Sequence, residues 1–153
     1  MTEWVLLAYR LPREPSTPRI TLWRQLRRLG VAQLMDGLVA LPLDARTREQ
    51  LEWLADDVDE HGGEATVWTG RPGSAAQERA IAERMAERVA REYQALAVEA
   101  VTALAGAQGA TRTLARLRRA FRQVAARDYF ASPARVAAHA AIESLARPLE
   151  AAS

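Results

Sequence analysis

Six arginines are the residues of this sequence whose type and spacing point most directly to chemistry with a partner. Arg24, Arg27 and Arg28 lie in "RITLWRQLRRLG", residues 19–30, and Arg112, Arg116 and Arg119 in a second helix-forming stretch. A guanidinium is a planar fork of donors that fits two phosphate oxygens at once, and each fork seated on a nucleic-acid backbone displaces condensed counterions. In the first stretch Leu22, Leu26 and Leu29 form an apolar stripe, with Trp23 at its margin and the three arginines on the other side. Two readings stand for both triplets: a phosphate-contacting, nucleic-acid-binding face, or a solvated surface balanced by acids elsewhere. No base-reading motif or helix-turn-helix signature accompanies them.

Other groups are weaker candidates. In "EWLADDVDEH" the pairs Asp56 with Glu60 and Asp57 with His61 stand four residues apart on one helix face, a spacing that suits a divalent ion. No further ligand is suggested by spacing elsewhere, so a solvated carboxylate face is the expectation and no metal site is assigned. His139 and Glu143 form another such pair, read as a helix-surface hydrogen bond rather than acid–base machinery. Trp4, Trp23, Trp53 and Trp68 are expected as large core or groove anchors, with a stacking platform for bases as the alternative. There is no nucleophile elbow, glycine-rich phosphate loop or H-E-x-x-H motif, and no cofactor is expected.

Composition narrows the setting. The 153 residues are 49% hydrophobic, enough for one compact domain or a small domain with an extension, and they contain no cysteine. Disulfides, thiolate metal sites and thiol-based oxidant sensing are thereby excluded from this chain. The N-terminus "MTEWVLLAYR" places an acid where a secretion signal needs basic residues, and no uncharged run approaches a membrane span, so a cytoplasmic location is expected. All 21 basic side chains are arginine, and the net charge of +2 hides strong polarity along the chain. Residues 1–30 carry six arginines and two acids, 31–70 two arginines and nine acids, and 110–153 eight arginines and three acids.

The elements that must position these groups follow from periodicity and punctuation. "EWVLLAY" reads as a buried strand closed by the prolines of "RLPREPSTP". Ser16 or Thr17 can cap the following helix, Pro18 suits its first turn, and Gly30 supplies the left-handed exit. "VAQLMDGLVALP" is a hairpin about Asp36-Gly37, and Asp44 caps a helix that carries Leu51, Leu54, Ala55 and Val58 inward and ends at Gly62-Gly63. "EATVWTG" is the last strand. The order βαββαβ over residues 1–70 predicts an α+β, ferredoxin-like sandwich with both helices on one face of the sheet.

After "GRPGS" the pattern changes, and residues 74–150 are expected to form a helical domain. Ala82, Met85, Val89, Tyr93, Leu96, Ala100 and Leu104 mark one long helix from about Ala75 to Ala105. A second helix from Thr111 to about Arg127 turns Leu114, Leu117, Phe121 and Val124 inward. A third begins at Ser132-Pro133 with Val136, Ile142, Leu145 and Leu149 inward, Tyr129 and Phe130 docking it on the others. The long stripe and the sheet edges both seek cover, which predicts a homodimer or larger oligomer unless the last two helices cover the stripe.

Four segments, "WVLLAYRLP", "RITLWRQLRRLG", "LMDGLVALP" and "RDYFASPAR", in this order and spacing, resemble the N-terminal region of ChrB, the chromate-resistance regulator. Residues 1–70 are more distantly similar to the ferredoxin-like domain of PaaX-type repressors and of small CRISPR-associated nucleases. The resemblance implies a cytoplasmic, chromate-responsive transcription regulator whose N-terminal region contacts DNA. The typical member carries a further C-terminal domain, so this sequence, ending at Ser153, is expected to be a short paralogue or part of a longer chain. Chromate or another oxyanion could be met here only by arginines, amides or hydroxyls. In the nucleases an aspartate near the end of the first strand holds the metal; here that place reads Tyr9-Arg10, and a non-enzymatic protein is expected. The rival readings are a structural protein-interaction module and a metal-dependent nuclease.

Overall fold

Strand β1 (Trp4–Arg10) alternates between two faces, and its neighbours fix which face becomes core. The computed structural model describes residues 2–106 and 108–152, and the chain divides into two units, Met1–Met85 and Ala86–Ser153. In the first unit β1 lies between β3 (Leu38–Pro42) and β4 (Glu64–Gly70), and β2 (Ala32–Met35) pairs with β3, giving the antiparallel order β2-β3-β1-β4. With α1 (Thr17–Leu29) and α2 (Ala45–Glu60) this is the expected ferredoxin-like βαββαβ arrangement. Val5 stands opposite Leu41 and Leu7 opposite Val39, so these four share one face. They are buried together with Leu22 and Leu26 of α1 and Leu51, Leu54 and Val58 of α2. Burying each such side chain fully contributes about 1.5–3 kcal/mol.

Local chemistry sets the boundaries. Gly37 closes the β2–β3 hairpin at φ +78°; its carbonyl accepts from the Tyr9 amide at 2.8 Å, and an added Cβ would stand 2.5 Å from the Tyr9 carbonyl oxygen. Only glycine combines that dihedral with that approach. Asp44 caps α2 by accepting from the Thr47 amide at 2.8 Å, while the Thr47 hydroxyl accepts from the Asp44 amide at 3.0 Å. The Thr47 amide holds the Asp44 carboxyl below its ordinary value. Ser16 corrects an expectation: it occupies the N-cap position of α1 in helical dihedrals (φ −78°, ψ −20°) and makes no side-chain cap bond. Pro18 and the left-handed Gly30 do stand where the sequence puts them.

The long helix α3 (Ala75–Ala105) gives its first turns to the first unit and the rest to the second, where it meets α4 (Ala110–Ala126) and α5 (Ala134–Ala151). Val89, Tyr93, Leu96 and Ala100 are buried with Leu114, Leu117 and Val124 of α4 and Ala138, Ile142 and Leu145 of α5. Two residues expected inward point out instead. Leu104 is 48% and Val136 75% exposed, because each lies in an end turn, beyond the facing helix side chains that cover the middle of the stripe. Between α4 and α5 the carboxylate of Asp128 accepts from the Tyr93 hydroxyl at 3.1 Å and from the Ser132 amide at 3.0 and 3.1 Å, tying α3 to the interhelix turn. Among the described residues no helix is long and apolar enough to cross a membrane.

Candidate nucleic-acid interface

Helix α1 presents its arginines because its leucines are committed to the core. Leu22 and Leu26 are buried and Leu29 half-buried; Arg24, Arg27 and Arg28, turned away from them by the 3.6-residue period, are exposed. None of the three has an ion-pair partner among the described residues. Arg27 and Arg28 stand in the last turn, where cations also complement the partial negative charge of the helix end. The Arg27 guanidinium lies over the Trp23 indole, 4.8 Å from the ring centroid.

Of the two places the sequence left open for Trp23, core or groove, the structure takes the groove. Trp23 is 53% exposed, about 100° around the helix from Leu22, and belongs to the surface rather than to the leucine stripe. Together with Ile20, Arg19, Arg24 and Tyr9 it lines a concavity of about 590 Å³ beside α1. Burial, and next the charge of Asp36, push the Tyr9 hydroxyl above its ordinary value. Arg19 and Ile20 were not singled out from the sequence. The available signal was the spacing Arg19, Trp23, Arg27, which stacks all three on one side of the helix.

On α4, Arg112, Arg116 and Arg119 are exposed in the second unit. Arg116 is paired with Glu99 of α3 at 3.0 Å, whereas Arg112 and Arg119 have no ion-pair partner among the described residues. Neighbouring Arg118, which the sequence reading passed over, reaches Glu150 at 3.0 Å and Glu143 at 3.6 Å. Arg127 donates to Glu92 at 2.8 Å in a setting where both side chains are largely covered.

The remaining candidates resolve locally. Asp56, Asp57, Glu60 and His61 are all exposed, and the His61 Nδ1 sits 2.7 Å from the backbone oxygen of Asp57 rather than from its carboxylate. No group of three metal-ligating side chains comes together among the described residues. The expected His139–Glu143 bond gives way to two other contacts: Glu143 faces Arg118, and the His139 ring lies 5.8 Å from that of Phe121. Of the four tryptophans, Trp4 is core at 3% exposure, while Trp53 and Trp68 are exposed like Trp23. Arg10 pairs with Glu64 at 3.1 Å on the sheet's end.

A ferredoxin-like α+β unit followed by a helical unit, with arginines spread on exposed helix faces, is the class of protein that the fold and this surface define. The family described as "Protein ChrB, N-terminal" matches residues 19–153, and the chain belongs to it. "Protein ChrB" of Cupriavidus metallidurans is 39% identical over 67 residues, a stretch that spans 44% of this chain and 20% of that relative's length. No solved structure matches.

Proposed function

We propose that this chain serves chromate resistance as a cytoplasmic, non-enzymatic transcription regulator that contacts duplex DNA through α1, with Arg112, Arg116 and Arg119 of α4 assisting. The observation that carries the reading is the α1 surface. Among the described residues three exposed guanidinium groups are left without carboxylate partners, in a chain whose sequence holds 19 acids, and one is stacked on an exposed indole. A guanidinium with no carboxylate partner is available to a phosphate oxygen without first breaking an ion pair, and each such contact releases condensed counterions. The family membership supports the association with chromate resistance, and the arginines are groups that a dianionic oxyanion such as chromate would meet.

Binding of a labelled duplex, followed by anisotropy across a salt series, tests the reading. A log–log slope of several units that flattens in the Arg24→Ala, Arg27→Ala, Arg28→Ala variant supports it, and an unchanged affinity and slope refute it. Incubating the protein with duplex and magnesium or manganese tests the non-enzymatic part, and cleavage lost in an Asp36→Ala or Asp57→Ala variant overturns it.

A second reading, self-association through the helical unit, is favoured by Val98, Val101 and the end-turn Leu104, an exposed apolar run at helical spacing on α3. A homodimer formed through this run is compatible with DNA contact by α1. Light scattering of the parent beside a Val98→Glu, Val101→Glu variant distinguishes a dimer that dissociates from a monomer throughout.

A further inference from the structure

The sheet face opposite α1 and α2 is not flat. On it Leu6 stands between Ala40 and Trp68, and Ala8 between Leu38 and Thr66. Alanine at positions 8 and 40, on the two central strands, leaves the pleated surface low between taller side chains, and the result is a groove of about 670 Å³. The first turns of α3 close one side of it with Gln77, Ala80, Ile81 and Arg84, the i, i+3, i+4, i+7 stripe of that helix. A stripe that merely sealed a core would be apolar throughout. This one carries an amide at one end and a guanidinium at the other.

Two further details give the groove a chemical character. The Trp68 indole is 61% exposed, yet its Nε1–H donates to the Thr66 hydroxyl at 2.9 Å, which holds the ring as a preset wall. Among the described residues no carboxylate lines the groove, and its two charged lining residues are both arginines. Arg71 is already engaged with Glu3 at 3.4 Å, whereas Arg84 has no ion-pair partner among the described residues.

We propose that this groove binds a small aromatic carboxylate, its ring lying on the alanine floor between Trp68 and Ile81 and its carboxylate meeting Arg84, with the Gln77 amide as a second donor. The volume falls within the range of roughly 300–1,000 Å³ typical of small-molecule sites. A low stretch of sheet with a fixed indole at its side suits a planar ring, and the guanidinium fork matches the two oxygens of a carboxylate. The absence of acids from the lining among the described residues disfavours a cationic ligand, and Arg84, with no ion-pair partner there, gains more from an anionic acceptor than from a neutral one. The site is separate from the α1 arginines, so its test stands apart from DNA binding.

Calorimetric titration of the full chain with 2-naphthoate, 2-naphthylmethanol and dodecanoate decides the matter. Expected is saturable binding of naphthoate at one site per chain, with weaker binding of the alcohol and of the fatty acid. Arg84→Gln should weaken naphthoate about tenfold and leave the alcohol unchanged, the loss of one charge-assisted contact. Ala80→Leu fills the groove from an exposed helix position and should remove naphthoate binding at an unchanged melting midpoint. Absence of saturable binding up to millimolar naphthoate overturns the proposal. So does equal affinity for the alcohol, preference for dodecanoate, or retention of binding in a folded Ala80→Leu variant.

Discussion

Two sets of arginines put the same side chain to opposite uses. On α1 in the first unit, Arg24, Arg27 and Arg28 face solvent with no ion-pair partner among the described residues, and Arg27 lies over Trp23. In the second unit three arginines bind helix to helix, Arg116 to Glu99, Arg118 to Glu143 and Glu150, Arg127 to Glu92, while Arg112 and Arg119 have no ion-pair partner among the described residues. The difference teaches where to look for recognition. A guanidinium already holding a carboxylate must give up that bond before it can hold a phosphate, so its net gain on binding is smaller than that of a free one. Exposure by itself does not separate the two sets, since Arg112, Arg116 and Arg119 are exposed like the α1 group.

The sharpest way to break this contrast is to strip both faces in turn. Replacing Arg24, Arg27 and Arg28 with alanine should flatten the salt slope of duplex binding by about 0.9 per lost contact and lower affinity at 0.1 M salt on the order of a hundredfold or more. The melting midpoint should stay near the parent's, because exposed residues of this kind cost typically within about 0.5 kcal/mol each. Replacing Arg112, Arg116 and Arg119 should flatten the slope less, and an equal or larger loss there would reverse the ranking of the two faces.

The second unit should answer in stability instead. Arg127→Ala removes a pair whose side chains are only 17% and 28% exposed, and it should destabilise the protein by about 1–2 kcal/mol, between the values for open and buried pairs. Duplex binding should not change. Urea unfolding beside anisotropy reads both quantities from one variant.

Tyr93 provides a comparable effect with a pH signature. Burial first, and then the Asp128 carboxylate, push its hydroxyl from 10.0 up to about 12. The folded chain therefore holds this proton more tightly than the unfolded chain. The associated stability is complete below about pH 10 and is lost as pH climbs toward 12. Tyr93→Phe should cost about 1 kcal/mol at neutral pH through the lost bond to Asp128 and should remove this alkaline step from a stability–pH profile. No such step is expected from any α1 arginine variant.

A small effect on folding is also expected for Trp23→Ala. At 53% exposure it should cost no more than about 1 kcal/mol of stability while still weakening duplex binding, since it removes the plate beneath Arg27. A collapse of the melting midpoint would return Trp23 to the core and weaken the separation between binding face and fold.

Much of the architecture was legible because it rests on short-range rules. Asp36-Gly37 demanded a hairpin, Asp44 a helix start and Gly30 a helix end, and each stands where its dihedral or hydrogen-bond chemistry requires. Leu51, Leu54 and Val58 lie inward as their spacing predicts. Ser16 was misread as a capping side chain because residue type sets the capacity to cap, while the dihedrals that aim the hydroxyl depend on the preceding loop. Leu104 and Val136 lie outward, and Trp23 in a groove rather than the core, for a related reason. Periodicity says which residues share a face but not how far along a helix the partner extends, nor where the margin of a stripe falls.

The candidate sites divide along the same line. That α1 and α4 carry arginines, that no thiol is present and that the middle of the chain is acidic are properties of composition and spacing, settled before any contact forms. Which arginines are free was decided by tertiary structure. Glu99, Glu143, Glu150 and Glu92 reach Arg116, Arg118 and Arg127 from other helices, over separations that no local pattern encodes. The groove on the open sheet face has the same origin. Ala8, Ala40 and Ala80 are unremarked small residues along the chain, and they become a concavity only when strand register and the start of α3 bring their missing side-chain volume to one place.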